Sequence, residues 1–347
     1  MVTMKDVGRE AGVSAMTVSN VLRGNDNVAP ETAKRVREAA DKLHYRLNTT
    51  SLSARSLRVS TSRTRTERGT IGLAIFELDQ PYPSQLASLI SMEAEKRGYQ
   101  TVVQQTRINE LNERSIIERM SNQFCDGLLF SSSRLSAYEI ETLSNHRPTV
   151  LLDDDRRQTD IDTVLTPCEA GAQAAITYLH GIGRRRIGIM GANPAVNEVS
   201  LEDNRVTKGR RITGCRTAFE ELGMTWNPAR VIPTPWNDVD ARQAVHTYES
   251  TIRDCDALFC MTDTVAFGVM RGLKDIGLDV PRDIAIIGFD GIAMGASMVP
   301  SLTTVAVDIE DIARRSVDLL IRRIDDEPGL PHQRVTAAFH IEHRESA

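Results

Sequence analysis

The run Met4-Lys5-Asp6-Val7-Gly8-Arg9-Glu10-Ala11-Gly12-Val13-Ser14-Ala15-Met16-Thr17-Val18-Ser19-Asn20-Val21-Leu22 decides how the N-terminal region folds. Val7 and Ala11, one helical turn apart, give a short first helix its apolar face. Thr3 and Asp6 have the spacing of a capping box at its start, and Gly12 ends it. Beyond that turn Ser14 can cap a second helix, Ala15 to Leu22, in which Val18, Val21 and Leu22 point at the first helix. Thr17, Ser19 and Asn20 are left facing outward. Pro30 then opens a third helix at a position where a missing N–H costs nothing, and Val36, Ala39, Ala40 and Leu43 form its buried stripe. Three short helices joined through a tight glycine turn predict a helix-turn-helix. In that geometry the second helix enters the major groove, its outward polar side chains reach base edges, and Lys and Arg elsewhere hold phosphates. One short polar side chain taken alone would describe any solvated face; the combination carries the reading.

The charge distribution agrees. The chain has 347 residues with 42 Lys+Arg, 47 Asp+Glu and 41% hydrophobic residues, enough for two or three domains with real cores. Residues 1–65 hold 12 Lys+Arg and 6 Asp+Glu, a net +6, which leaves 30 and 41, a net −11, for the rest. A basic head on an acidic body predicts a head that meets phosphate and a body with another task. Five irregularly spaced cysteines, Cys125, Cys168, Cys215, Cys255 and Cys260, suit neither a disulfide framework nor a zinc site and point to a reducing, cytoplasmic compartment. No run approaches the roughly 20 apolar residues of a membrane helix. The first residues, MVTMKDVGRE, lack the pattern of a signal peptide, so neither secretion nor membrane insertion is expected.

Met4-Lys5-Asp6-Val7, Ala11-Gly12-Val13-Ser14 and Thr17-Val18-Ser19 together resemble the head of the lactose/galactose repressor family of bacterial transcription regulators. Val28, the helix from Pro30 and the run Tyr45-Arg46-Leu47-Asn48 extend the resemblance. It implies that Thr3, Ser14, Ala15 and Met16 join Thr17, Ser19 and Asn20 at the DNA, with Asn27, Tyr45 and Asn48 supporting them. Two departures bear on recognition. Asn20 stands where many relatives have Arg, which exchanges a bidentate guanine contact for a residue suited to adenine. In the hinge, Leu47 replaces the usual Pro, and Ala54-Arg55-Ser56-Leu57-Arg58, which resembles the hinge helix, sits about three residues further from Asn48 than the usual pattern, close to one helical turn. The resemblance implies Leu57 as the side chain that wedges into the minor groove, with Ala54 and Leu52 as alternatives, and a half-site spacing that differs accordingly. Val59 to Gly69 reads as a flexible basic linker. The expected division is a head over 1–47, a hinge and linker over 48–69, and a core over 70–347.

From Thr70 onward short apolar runs alternate with amphipathic stretches: Ile71 to Phe76, Leu86 to Lys96, Thr101 to Val103, Ile116 to Met120, Asp126 to Phe130 and Thr149 to Leu152. A second series runs through Ile187 to Met190, Ala257 to Cys260 and Ile284 to Phe289. This βαβα order predicts an α/β core of two doubly wound parallel-sheet subdomains, with a ligand cleft beyond the carboxyl ends of the strands. Gly288-Phe289-Asp290, Pro300-Ser301-Leu302-Thr303-Thr304-Val305 and Arg211-x-x-Gly214 resemble the family's effector core, itself similar to periplasmic sugar-binding proteins. The resemblance makes Arg211 the ligand clamp and Asp290 an acceptor for ligand hydroxyls or amines, a pairing of donor fork and acceptor that suits a polyhydroxylated ligand; a structural salt bridge is the alternative. Trp236 either offers its face to a sugar or purine ring or packs in the core. Thr262, Asp263, Tyr82, Asp79, Asp153 and Thr207 complete the candidate effector set. Thr262 in place of the family's Asn, and Val307 where some sugar-binding relatives have Gln, suggest an effector other than a plain galactoside. The polar loop from Ala192 to Lys208 reads as an exposed insertion and Asp153-Asp154-Asp155 as a solvated acidic run; no metal and no cofactor are expected.

An enzyme is the rival class. No G-x-G-x-x-G, no G-x-x-x-x-G-K-[ST] and no G-x-S-x-G is present, and the seven His lack metal-ligand spacing. The expectation is therefore a cytoplasmic repressor, a homodimer on a palindromic operator in double-stranded DNA, controlled by a small-molecule effector such as a sugar. The alternatives are control by a corepressor, or a sugar-binding protein without regulatory DNA binding. The strand-like stretch Val335 to His343 is followed by no Leu heptads, so no tetramerising tail is expected.

Overall fold

The computed structural model describes residues 4–22, 29–43, 69–107, 109–131, 135–155, 161–192, 207–325 and 331–347. The chain divides into two units, Met1–Thr66 and Glu67–Ala347.

The first unit is built on α1 (Met4–Ala11), α2 (Ala15–Leu22) and α3 (Pro30–Lys42). Val7, Val18 and Val36, all at 0% exposure, meet at its centre, with Ala11, Val21, Ala39 and Ala40 buried around them. Gly12 takes a φ of +66°, the left-handed conformation that glycine adopts without a steric cost, and this turns the chain between α1 and α2. Ser14 Oγ accepts from the Thr17 backbone N–H at 3.1 Å and so caps α2.

The second unit contains two six-stranded sheets. In chain order its elements are β1 (Gly69–Ile75), α4 (Pro81–Lys96), β2 (Tyr99–Gln105), α5 (Glu110–Arg119), β3 (Gly127–Ser131), α6 (Ala137–Leu143), β4 (Thr149–Leu152), β5 (Asp162–Leu165) and α7 (Cys168–Gly181). These are followed by β6 (Ile187–Met190), α8 (Thr207–Glu221), β7 (Val231–Ile232), α9 (Asp238–Thr247), α10 (Glu249–Arg253), β8 (Ala257–Cys260), α11 (Asp263–Asp275), β9 (Ala285–Asp290), β10 (Thr303–Val307), α12 (Ile309–Ile324), β11 (Arg334–Thr336) and β12 (Phe339–Glu342). The first sheet is ordered β11-β5-β4-β3-β1-β2 with every pairing parallel. The second is ordered β12-β10-β9-β8-β6-β7. Both sheets reverse strand order beside their first strand, which opens a crevice at the carboxyl ends of β1 and β3 in one and of β6 and β8 in the other. Buried strands such as β3, β8 and β9 are continuous apolar runs, as strands covered on both faces must be.

Two expectations are corrected here. The second sheet is not wholly parallel, because β12 pairs antiparallel with β10. The stretch Val335 to His343 is not one strand: β11 belongs to the first sheet and β12 to the second. Between them Ala337 donates to the Leu165 carbonyl at 2.9 Å and the Ala338 carbonyl accepts from Asp308 at 3.0 Å, so backbone partners in both other crossovers fix the change of sheet. The chain thus passes between the subdomains after β5, after β10, where α12 returns to pack on α4 and β3 to β5, and after β11.

Candidate functional site

Seven of the nine effector candidates converge on one cavity of about 80 Å³ at the carboxyl ends of the strands of both sheets. Tyr82 from the first turn of α4, Asp153 just after β4, Thr207 and Arg211 from α8, Trp236 before α9, Thr262 capping α11 and Asp290 ending β9 all line it.

The second-sheet side is tightly wired. Arg211 is 2% exposed. One of its Nη atoms donates to the Met261 carbonyl and the other to Asp290 Oδ1 at 3.2 Å, while Cζ lies 3.6 Å from the centre of the Phe289 ring and 5.3 Å from that of Trp236. Two aromatic faces and a carboxylate hold a weakly hydrated guanidinium away from bulk water. Trp236 is half-buried, packs against the core, donates from Nε1 to the Gly191 carbonyl at 2.9 Å and also lines the cavity. Asp290 sits at φ +123°, a conformation L residues rarely adopt, and the buried surroundings hold it there. Burial raises its carboxyl above the usual range despite the guanidinium beside it.

Asp263 does not line the cavity, contrary to the sequence expectation. It is 0% exposed and turned away from the cavity. Its Oδ2 accepts from the backbone N–H groups of Gly291 and Ile292, both at 2.8 Å, and its Oδ1 from the Thr304 hydroxyl at 2.6 Å. It therefore pins the turn that presents Asp290. Gly288 explains itself through the same contact, since a Cβ there would lie 2.2 Å from Asp263 Oδ1. Burial and the neighbouring Asp290 push the Asp263 carboxyl up as well.

The first-sheet side is less committed. The Tyr82 hydroxyl is buried without a hydrogen-bond partner, and burial raises its pKa. Asp153, at φ +58°, accepts from the Thr166 backbone N–H at 2.6 Å and from its hydroxyl at 2.7 Å through the same oxygen. Asp79 is a second correction: it lies along a separate groove beside Asp238 and Arg242, off the cavity wall. Sequence reasoning passed over Phe76, Gln80, Ser131 and Thr264, which also line the cavity. Phe76 and Ser131 lie at the ends of β1 and β3, where the strand-end rule could have found them. Nor is the acidic run after β4 solvated, because Asp154 is 0% and Asp155 8% exposed. Among the described residues no cluster of His, Cys, Asp or Glu is placed to hold a metal ion, and no helix is long and apolar enough to cross a membrane.

In the head, Met16 projects from α2 at 74% exposure, and Ala15, Thr17, Ser19 and Asn20 are partly exposed on the same helix. Ser14 and Thr17 hydroxyls bond one another at 2.9 Å, so Ser14 is spent on capping. Thr3, Asn27, Tyr45, Asn48, Ala54 and Leu57, with the hinge helix, its alternative wedge Leu52 and the linker up to residue 68, lie outside the described residues, and Gly69 already begins β1.

A helix-turn-helix unit joined in one chain to a two-sheet core with its ligand cavity between the sheets defines a ligand-responsive DNA-binding regulator. The pattern of the bacterial regulatory proteins, lacI family, matches residues 3–48, and that of the periplasmic binding protein-like domain matches residues 176–347. The HTH-type transcriptional repressor PurR of Vibrio vulnificus (strain CMCP6) is 29% identical over 329 residues, 94% of this chain and 93% of that protein. A LacI-family transcriptional regulator from Sanguibacter keddieii DSM 10542 superposes with a TM-score of 0.69 at 32% identity, covering 80% of this chain and 98% of that one. Another from Enterococcus faecium, with bound ribose, gives a TM-score of 0.65 at 25% identity over 80% of this chain and 98% of that one. The chain belongs to the lacI family of bacterial regulatory proteins and is a DNA-binding transcription regulator with an effector-binding core.

Proposed function

We propose that the protein is a cytoplasmic, non-catalytic repressor that binds a palindromic operator as a homodimer and responds to a neutral polyhydroxylated effector, a sugar or sugar derivative. In this reading residues 1–47 form the DNA-binding head, 48–69 the hinge and linker, and 70–347 the effector-binding and dimerisation core. The observation that carries it is the chemistry of one cavity. Asp153 and Asp290 offer acceptors, the buried Tyr82 hydroxyl and Arg211 Nε are without partners, and Trp236 supplies an aromatic wall. Ligand hydroxyls both donate and accept, so they satisfy both kinds of group at once. A ribose-bound relative supports the class without naming this chain's effector. Dimerisation follows from DNA geometry, since one head makes too few base contacts for a genome-scale search, whereas two symmetric heads read two half-sites. On α2, Thr17, Ser19 and Asn20, with Met16 beside them, are the base readers. Effector bound between the subdomains shifts a population of core conformations and thereby the operator affinity, by a coupling of about 5- to 150-fold.

Selection from random duplex DNA with the purified, effector-free chain tests the reading. Enrichment of an inverted repeat supports it; repeating the selection with ribose, glucose, galactose and purine bases separates an inducer from a corepressor. If no duplex is enriched under any of these conditions, the repressor reading fails. Asn20→Ala should relax preference at one position of each half-site at a cost of about 1–3 kcal/mol. Uniform weakening on every duplex would remove Asn20 from base reading.

A further inference from the structure

Next to the effector clamp, α8 carries a second arginine that points the other way. Arg210 has 4% side-chain exposure, and it reaches out of the second subdomain toward Asp155, which follows β4 of the first. Its Nε lies 3.7 Å from Asp155 Oδ2 and 3.7 Å from Glu169 Oε1, and one Nη donates to the Thr166 carbonyl at 3.3 Å in the crossover after β5. Nε and the remaining Nη are buried with no hydrogen-bond partner. Asp155 is meanwhile gripped from its own subdomain by Arg334 of β11, whose Nε and one Nη reach its two oxygens at 2.6 and 2.5 Å.

Two of the three guanidinium nitrogens of Arg210 lack an acceptor, and Nε stands 3.7 Å from the carboxylates of both Asp155 and Glu169. At 3.7 Å the attraction between Arg210 and Asp155 is electrostatic without the directional gain of a charge-assisted hydrogen bond, which needs about 2.7–2.9 Å. A buried guanidinium N–H without an acceptor is costly, and the part of that cost borne by Nε is relieved if α8 moves toward β4 by about 1 Å and brings Asp155 within hydrogen-bond range. The same motion carries Thr207 and Arg211, on the same helix, toward Tyr82 and Asp153 on the first-sheet side of the cavity. Closure of the cleft is thus favoured twice, once by a ligand held between the two sides and once by Arg210 engaging Asp155.

We infer that the Arg210–Asp155 pair is a built-in latch across the cleft, a positioning contact that sets the balance between open and closed cores before any effector arrives and hence the basal operator affinity. The inference rests on the regulatory reading above. The test uses the full chain without effector, on the duplex enriched by selection, and compares wild type with Arg210→Gln, Asp155→Asn and the double variant. If the latch operates, each single change shifts operator Kd in the same direction by about 5-fold or more. The double variant then shifts it no further than the larger single change, because both remove one contact. Arg210→Lys, which keeps the charge and loses the planar fork, falls between wild type and Arg210→Gln, and it is the variant to read if Arg210→Gln does not fold. A purely structural role would lower the melting temperature and leave operator Kd unchanged. Unchanged Kd values in variants that fold, or shifts that add, overturn the latch and leave the regulator reading intact. Failure of the wild type to enrich any duplex defeats both.

Discussion

The two walls of the proposed effector cavity are prepared to different degrees. On the second-sheet side the strong groups are engaged, Arg211 Nε excepted: the Nη atoms of Arg211 with Asp290 and Met261, its plane against Phe289, and Asp263 with Gly291, Ile292 and Thr304. On the first-sheet side the Tyr82 hydroxyl waits without a partner and Asp153 uses one oxygen on Thr166. The first arrangement is paid for during folding, the second when ligand binds. Substitutions in the former should cost stability, and in the latter affinity.

The largest effect should come from Asp263→Ala. It leaves two backbone N–H groups and the Thr304 hydroxyl buried without their acceptor, each worth about 1–3 kcal/mol, for a total of about 3–5 kcal/mol because neighbouring losses do not add fully. Urea unfolding of the full chain measures it. A loss below about 1 kcal/mol would show that the turn presenting Asp290 does not depend on this carboxylate.

Arg211→Ala comes next, at about 2–4 kcal/mol, with loss of the response to effector. The change strips the cation from a buried carboxylate, but Asp290, raised by burial, escapes part of the penalty by taking a proton. Unfolding combined with operator titration in the presence of effector separates the two consequences. A variant that still responds at the same effector concentration would remove Arg211 from the site.

The proton on this wall yields a smaller, signed prediction. Both Asp263 and Asp290 lie above the ordinary value of 3.8 in the folded chain, with burial the largest cause. A carboxyl with a raised folded pKa binds more protons folded than unfolded. Its contribution to stability is therefore complete below 3.8 and is lost as the pH rises through the folded values. The difference in stability between wild type and Asp290→Asn should therefore shift against wild type between weakly acidic and weakly alkaline pH, by about 1–2 kcal/mol. Parallel unfolding profiles for the two proteins would contradict the burial argument.

Sequence legibility follows the same division. The head could be read because its apolar residues recur at helical spacing and Gly12 marks the turn, and the sheets because their strands are uninterrupted apolar runs. The split of Val335 to His343 was hidden, since no Gly or Pro marks Ala337 and Ala338 and the change of sheet is imposed by distant partners, Leu165 and Asp308. Arg211, Asp290 and Trp236 were reached through the resemblance to the repressor family, whose marks lie beside strand and helix ends. Asp263 was misassigned because a carboxylate after a strand looks alike in sequence whether it enters the cleft or turns back into the core. The available hint was Gly288, whose missing side chain makes room for it. Burial of Asp155 depends on Arg334 and Arg210, far away along the chain, and nothing local announces it.

Tyr82→Phe should have the smallest effect on folding and with the opposite sign. The hydroxyl is buried with no partner, so its loss removes a desolvated group that contributes nothing to the free protein, while the ring keeps its packing against the core. Stability should stay level or rise by up to about 1 kcal/mol. Effector binding should weaken by about 5- to 10-fold, the worth of one neutral hydrogen bond of about 1–1.5 kcal/mol. Thermal melts without ligand and titration with whichever sugar protects the wild type give the two numbers on one sample. A variant that loses stability would mean that the hydroxyl is already satisfied in solution, by a bound water for example, and that the first-sheet wall is as finished as the second. A variant more stable and weaker in binding would show that this side of the cavity keeps an unmet hydrogen bond in reserve for its ligand.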